Sequence, residues 1–176
     1  TWRLVVNYLT EWDEVLIPDL PGMGDSVWVN AESAGFDEYL AAIADFLRYQ
    51  GWGQFDLVGY SFGGLLAMHL AELSDAPFKV QRLGLIEPAA LLASNPELLI
   101  HRAEEYGDQA ELLMSGKADA VLGFLDAVSP FRDKAGDDLV VRRLSENLAG
   151  LGYGVRAVSQ ALTRYSDHYA NWISPV

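Results

Sequence analysis

One stretch, FDLVGYSFGGLLAMHLA from Phe55 to Ala71, constrains the fold more than any other. Phe55 to Val58 read as a short buried strand, and Leu65 to Leu73 as a helix. Gly59-Tyr60-Ser61-Phe62-Gly63 lies between them. A serine flanked by glycines at a strand-to-helix change predicts a tight turn that lifts the hydroxyl clear of the sheet. The glycines at 59 and 63 are expected to remove clashes that side chains would make with neighbouring chain. The turn also aims the first helical amides at the hydroxyl. The Phe62 N–H is therefore a candidate oxyanion donor, helped by the positive field of the helix N-terminus. The plainer alternative is a glycine-rich turn needed only for packing.

The flanking sequence predicts the layers around this turn. TWRLVVNYL places Trp2, Val5, Val6 and Leu9 at helical spacing. EVLIPDLPGMGDS reads as a buried strand at Val15 to Ile17 running into a Pro/Gly loop, in which Asp19 and Ser26 are expected to hold the chain by side-chain to backbone bonds. Phe36, Tyr39, Leu40, Ile43, Phe46 and Leu47 form an amphipathic stripe, with Asp37 and Glu38 in its first turn and Gly51 past its end. VQRLGLIEP is a third strand, stopped by Pro88. Strands alternating with helices argue for a parallel α/β sheet. From Leu91 onward the pattern is helical throughout. Helices are expected near 96–106, 109–115, 117–128, 137–149 and 155–166, broken at Gly107, Gly116, Pro130, Gly136 and Gly150.

Composition narrows the function classes. The 176 residues hold 12 Lys+Arg against 25 Asp+Glu, a net charge of −13 that repels nucleic acid and anionic membranes. There are no cysteines, so disulfides and thiolate metal sites are excluded and a cytoplasmic location is the expectation. No apolar run reaches the length of a membrane span. No histidine pair has metal-ligand spacing. GLGYGV at 150–155 is not preceded by a strand, which argues against a dinucleotide loop.

Taken together, WRLVVNYL…WDEVLIPDLPGMGDS, FDLVGYSFGGLLAMHLA and VQRLGLIEPAA resemble the α/β-hydrolase family over most of the first 90 residues. The resemblance implies a mostly parallel sheet with an inserted helical cap. Residues 1–90 would be a partial core with the nucleophile elbow, 91–172 the cap, and 173–176 the start of the return to the core. It implies Ser61 as nucleophile and the Phe62 N–H as oxyanion donor, with no cofactor or metal. It also implies segments not found here: an earlier strand ending in His-Gly, and two later strands bearing the usual acid and the histidine base. The chain is accordingly expected to be a fragment, inactive alone.

Glu87 stands at the carboxyl end of the strand after the elbow, where α/β sites collect. Some haloalkane dehalogenases are similar in carrying their acid there, so Glu87 is either the triad acid or a pocket-lining residue. His69, eight residues along the helix from Ser61, is about 12 Å away and out of reach. His101 and His168 are expected at the cap surface. Leu98, Leu112, Leu113, Phe124, Leu125 and Phe131 either line an acyl pocket or form the cap's own core.

The expected activity is serine hydrolysis of a small-molecule carboxylic ester, thioester or lactone through an acyl-enzyme on Ser61. The rivals are a lyase or C–C bond enzyme on the same fold, in which Ser61 only polarises the substrate, and a non-catalytic ligand-binding protein.

Overall fold

The computed structural model describes residues 2–28, 34–90, 95–117 and 119–172. In chain order they form α1 (Arg3–Val6), α2 (Phe36–Gln50), β1 (Gln54–Tyr60), α3 (Phe62–Glu72), β2 (Lys79–Ile86), α4 (Pro96–Met114), α5 (Ala120–Val128), α6 (Asp137–Ser145), α7 (Leu148–Arg164) and α8 (Ser166–Trp172). The first two long helices begin with local satisfaction of free amides. The Gly35 N–H donates to Glu38 Oε2 (3.0 Å) before α2, and the Glu97 N–H donates to Asn95 Oδ1 (2.9 Å) at α4, where Pro96 takes the first helical position.

β1 and β2 pair in parallel, with Val58 opposite Gly84 and Tyr60 opposite Ile86. α3 is the crossover between them. One face of the pair is covered: Phe55 and Leu57 pack with Ile43 and Leu47 of α2, Leu70 of α3 and Phe78. Alternation sends Asp56, Val58 and Tyr60 to the other face. There Arg82 holds Asp56, and Val58, Tyr60 and Ile86 are 51%, 43% and 46% exposed.

The expected strand at Val15–Ile17 does not form among the described residues. The segment has no ladder partner, and a strand without one leaves its backbone groups to water. Its period-two pattern survives, however. Leu16 packs against the core while Val15 and Ile17 are exposed.

The helical half also departs from expectation. α4 runs unbroken through Gly107, and α7 begins before Gly150 and includes it. Tertiary contact outweighs the intrinsic cost of glycine in a helix, about 1 kcal/mol per residue. A β-carbon on Gly152 would lie 2.6 Å from Met114 Cγ, so glycine there lets α7 lie close against α4. The glycines of GLGYGV thus belong to a helix–helix and helix–loop contact.

The largest core cluster joins Tyr39 of α2 and Leu65, Leu66 and Met68 of α3 to Leu99 of α4, Leu162 of α7 and Tyr169 of α8. Hydrophobic packing therefore crosses the boundary expected at residue 90. A second cluster, in the helical half, holds Leu113, Val121, Leu125 and Leu151, with Met23 of the loop before α2 packed against it. The expected return segment, 173–176, lies outside the described residues. Among those described, no helix is long and apolar enough to cross a membrane.

Candidate active site

β1 ends at Tyr60 and α3 begins at Phe62, which leaves Ser61 as the whole joint. Its backbone lies at φ 52° and ψ −119°, a region that costs a residue with a β-carbon about 1–3 kcal/mol. Four backbone hydrogen bonds hold it there. The Ser61 N–H donates to the Ile86 carbonyl (3.1 Å), and the Ser61 carbonyl accepts from the N–H groups of Gly64 (3.0 Å), Leu65 (3.2 Å) and Ala89 (3.3 Å). The joint is thus tied both to the next strand and to the loop beyond it. The Ser61 side chain is exposed and has no hydrogen-bond partner among the described residues.

The turn is tight where the chain crosses itself. A β-carbon on Gly59 would lie 2.6 Å from Gly64 Cα and would also strike the Gly63 carbonyl. One on Gly64 would lie 2.9 Å from Pro88 Cβ, whereas one on Gly63 would meet nothing within 4 Å. The steric need expected at 59 and 63 is therefore found at 59 and 64. Because the atoms facing Gly59 are backbone, they cannot rotate away. Gly59→Ala is expected to destabilise the natural protein by about 3 kcal/mol, measured by urea unfolding. An unchanged midpoint would show that the turn is looser than described.

Phe62 supplies the first amide of α3, and its N–H has no acceptor among the described residues. Its ring is fixed. It stands edge-on to Tyr39 (centroids 5.0 Å apart), which stands edge-on to Trp28 (4.9 Å), and the Trp28 indole N–H donates to the Tyr39 hydroxyl (3.2 Å). Sequence reading missed this aromatic chain. Tyr39 was legible as an inward position of α2, but nothing in the spacing pairs it with Phe62.

Asp19 and Ser26 act as expected. Ser26 Oγ donates to the Asp19 carbonyl (2.9 Å), and the Asp25 N–H donates to Asp19 Oδ2 (3.4 Å).

Glu87 is the other described non-glycine residue with positive φ, at 42°. The register Tyr60 to Ile86 places it beside Ser61 at the carboxyl end of the strand pair. Its side chain is exposed, and no histidine bonds to it among the described residues. All three histidines are engaged elsewhere. His69 Nε2 lies 2.7 Å from the Tyr169 hydroxyl, and burial holds its imidazole below the ordinary histidine range. His101 lies on α4 beside Glu104 and Glu105. His168 Nε2 lies 3.0 Å from Glu72 Oε2. The described residues therefore bring Ser61, the Phe62 amide and Glu87 together, and place no imidazole with them.

Concavities of about 250 Å³, between Pro18–Val27 and α2, and about 240 Å³, at the start of α2, do not include Ser61. Of the apolar residues considered for an acyl pocket, Leu113 and Leu125 are buried in the helical half and Phe124 packs against them. Leu98, Leu112 and Phe131 face solvent. Among the described residues no group of three or more His, Asp or Glu side chains is placed to hold a metal ion.

A parallel βαβ unit with a strained serine at its strand-to-helix joint defines an α/β protein carrying a nucleophile-elbow geometry. The chain belongs to the α/β-hydrolase fold family, whose model matches residues 2–172. It is 44% identical over 70 residues to 2-succinyl-6-hydroxy-2,4-cyclohexadiene-1-carboxylate synthase of Serratia proteamaculans (strain 568), covering 40% of this chain and 26% of that protein. It is 40% identical over 91 residues to Lipase LipV of Mycobacterium tuberculosis (strain ATCC 25618 / H37Rv), covering 52% of this chain and 33% of that protein. It is 33% identical over 101 residues to pimeloyl-[acyl-carrier protein] methyl ester esterase of Vibrio campbellii (strain ATCC BAA-1116), covering 57% of this chain and 34% of that protein. The matched stretches thus span about a quarter to a third of these relatives. No solved structure matches the chain significantly.

Proposed function

We propose that this chain carries the nucleophile of a serine hydrolase acting on a small-molecule carboxylic ester, thioester or lactone. The observation that carries the reading is the Ser61 joint: a hydroxyl on a positive-φ residue next to a helix-terminal amide, neither with a hydrogen-bond partner among the described residues. In the forward step the Ser61 Oγ–H bond breaks as Oγ bonds to the substrate carbonyl carbon. The carbonyl oxygen takes the electron pair and accepts a hydrogen bond from the Phe62 N–H. The proton must pass to a base and from there to the leaving group. None of the three histidines of this sequence is placed beside Ser61: His69 lies against Tyr169, His168 against Glu72, and His101 on α4 near Glu104 and Glu105. Helices α4 to α8 serve as the cap.

A second reading is favoured by the 44% identity to a synthase. In it the same hydroxyl polarises a substrate without forming an ester. Mass spectrometry separates the two. The natural protein treated with a fluorophosphonate should gain one adduct on the peptide containing Ser61, and an activated ester should leave an acyl group there during turnover. Turnover with neither adduct would favour the synthase-like reading.

A further inference from the structure

At the far end of α3 from Ser61, two histidines and a carboxylate tie the last helix of the cap to the elbow helix. His69 and Glu72 project from α3, while His168, Tyr169 and Trp172 project from α8. His69 Nε2 lies 2.7 Å from the hydroxyl of Tyr169, which is fully buried. Glu72 receives two contacts from α8: His168 Nε2 at 3.0 Å, and the Trp172 indole N–H at 3.0 Å. The His69 ring is enclosed by Phe36, Tyr165, Tyr169 and His168 at centroid distances of 4.8, 4.7, 5.6 and 5.8 Å.

We propose that this joint is a proton-operated latch, which holds α8 on α3 while His69 is neutral and releases it when His69 is protonated. Burial of the ring, weighed against the charges facing it, decides the sign. Glu72 on the same helix and Asp37 on α2 favour the imidazolium, but Asp37 is already held by Arg164 of α7 and by the hydroxyl of Tyr165, just past its end. His168 on α8 sits against Glu72 and opposes a second positive charge. Tyr169 offers a hydroxyl, not a carboxylate. Enclosure by rings is the largest effect, and it disfavours the cation.

The folded, latched state thus binds the His69 proton more weakly than the released state, where the ring is in water. Latch stability is fully present above the ordinary histidine value of about 6.5 and is lost as pH falls through the depressed value of the latched ring. Within that window the population of released α8 rises by at most about tenfold per pH unit, the limit for one proton. The consequence lies at the site, since α3 is a single helix with Ser61 at its start. Freeing its far end from α8 removes one of the contacts between the cap and the elbow helix, while the packing of α3 against Leu99 of α4 and Leu162 of α7 remains.

The test is amide hydrogen exchange of α8 in the natural protein between pH 7.5 and 5, corrected for intrinsic rates. His69→Gln can keep a hydrogen bond to Tyr169 but cannot titrate in this range. The expected result is an opening constant for α8 that rises as pH falls in the wild type and stays flat in His69→Gln. The same pH response in both proteins overturns the latch. If His69→Gln leaves α8 open at every pH, the wild type alone decides. The Trp172 indole signal should then shift with the midpoint of the His69 imidazole resonance, and a different midpoint, or none, overturns the proposal.

Discussion

Ser61→Ala in the natural protein is expected to lower turnover of an activated ester by about 10⁴-fold or more, with little change in stability. The size follows from the role. Removing the oxygen removes the covalent step itself, and what remains is binding and whatever the Phe62 amide does for direct attack by water. The unchanged stability follows from the contacts. All four hydrogen bonds at residue 61 are made by its backbone, and the hydroxyl touches no polar partner among the described residues. Alanine at φ 52° is about as strained as serine. A comparison of kcat for p-nitrophenyl ester hydrolysis with the urea midpoint reads both quantities. Loss of activity together with a large loss of stability would mean that the hydroxyl is structural. Retained activity would remove Ser61 from the chemistry.

The βαβ unit around Ser61 was legible because local and tertiary demands agree there. Val58 is apolar, Gly59 is small where the chain crosses itself, and α3 is apolar almost all round because it is buried. Glycine at 63 was assigned a steric role that belongs to Gly64. The pattern reports that a turn is tight but not which atom of Pro88 it meets. The strand at Val15–Ile17 was legible only as a period. A strand needs a neighbour, and sequence spacing does not supply one. The helical breaks expected at Gly107 and Gly150 failed for the opposite reason, while those at Gly116, Pro130 and Gly136 fall between helices. Gly107 and Gly150 lower helix propensity, yet packing of α4 on α7 at Gly107, and of α7 on the loop at Gly22 for Gly150, rewards small residues and carries the helices through. The Ser61 turn and the Phe62 amide at the start of α3 were readable from local sequence. The placement of His69, His101 and His168 depends on which helix faces which, and only the folded chain displays it.

Residues 1–176 expressed by themselves are expected to show no Ser61-dependent ester turnover. The argument begins with the proton. An unassisted serine hydroxyl is a weak nucleophile, and a base must lie within hydrogen-bond reach to activate it. His69 is bonded to Tyr169, about 12 Å along α3 from Ser61. His168 sits against Glu72 near the same end of α3, and His101 sits on α4 beside Glu104 and Glu105. Glu87 is next to Ser61, but a carboxylate is a weaker base than an imidazole for a hydroxyl, and among the described residues it has no imidazole to orient. Stability points the same way. Parallel strands are normally covered on both faces, yet here Val58, Tyr60 and Ile86 are about half exposed, and Val15 and Ile17 are exposed as well. Net stability of an ordinary domain is only about 5–15 kcal/mol, so a bare apolar sheet face of this kind favours aggregation over a sharp unfolding transition. The measurement pairs ester turnover with thermal unfolding followed at both far- and near-ultraviolet wavelengths, because the helices can form locally without a fixed core. The expected outcome is helical signal, a broad transition and no burst of product. A sharp transition with sustained turnover that Ser61→Ala abolishes would sink the prediction, and would require one of the three histidines to swing to Ser61 in solution.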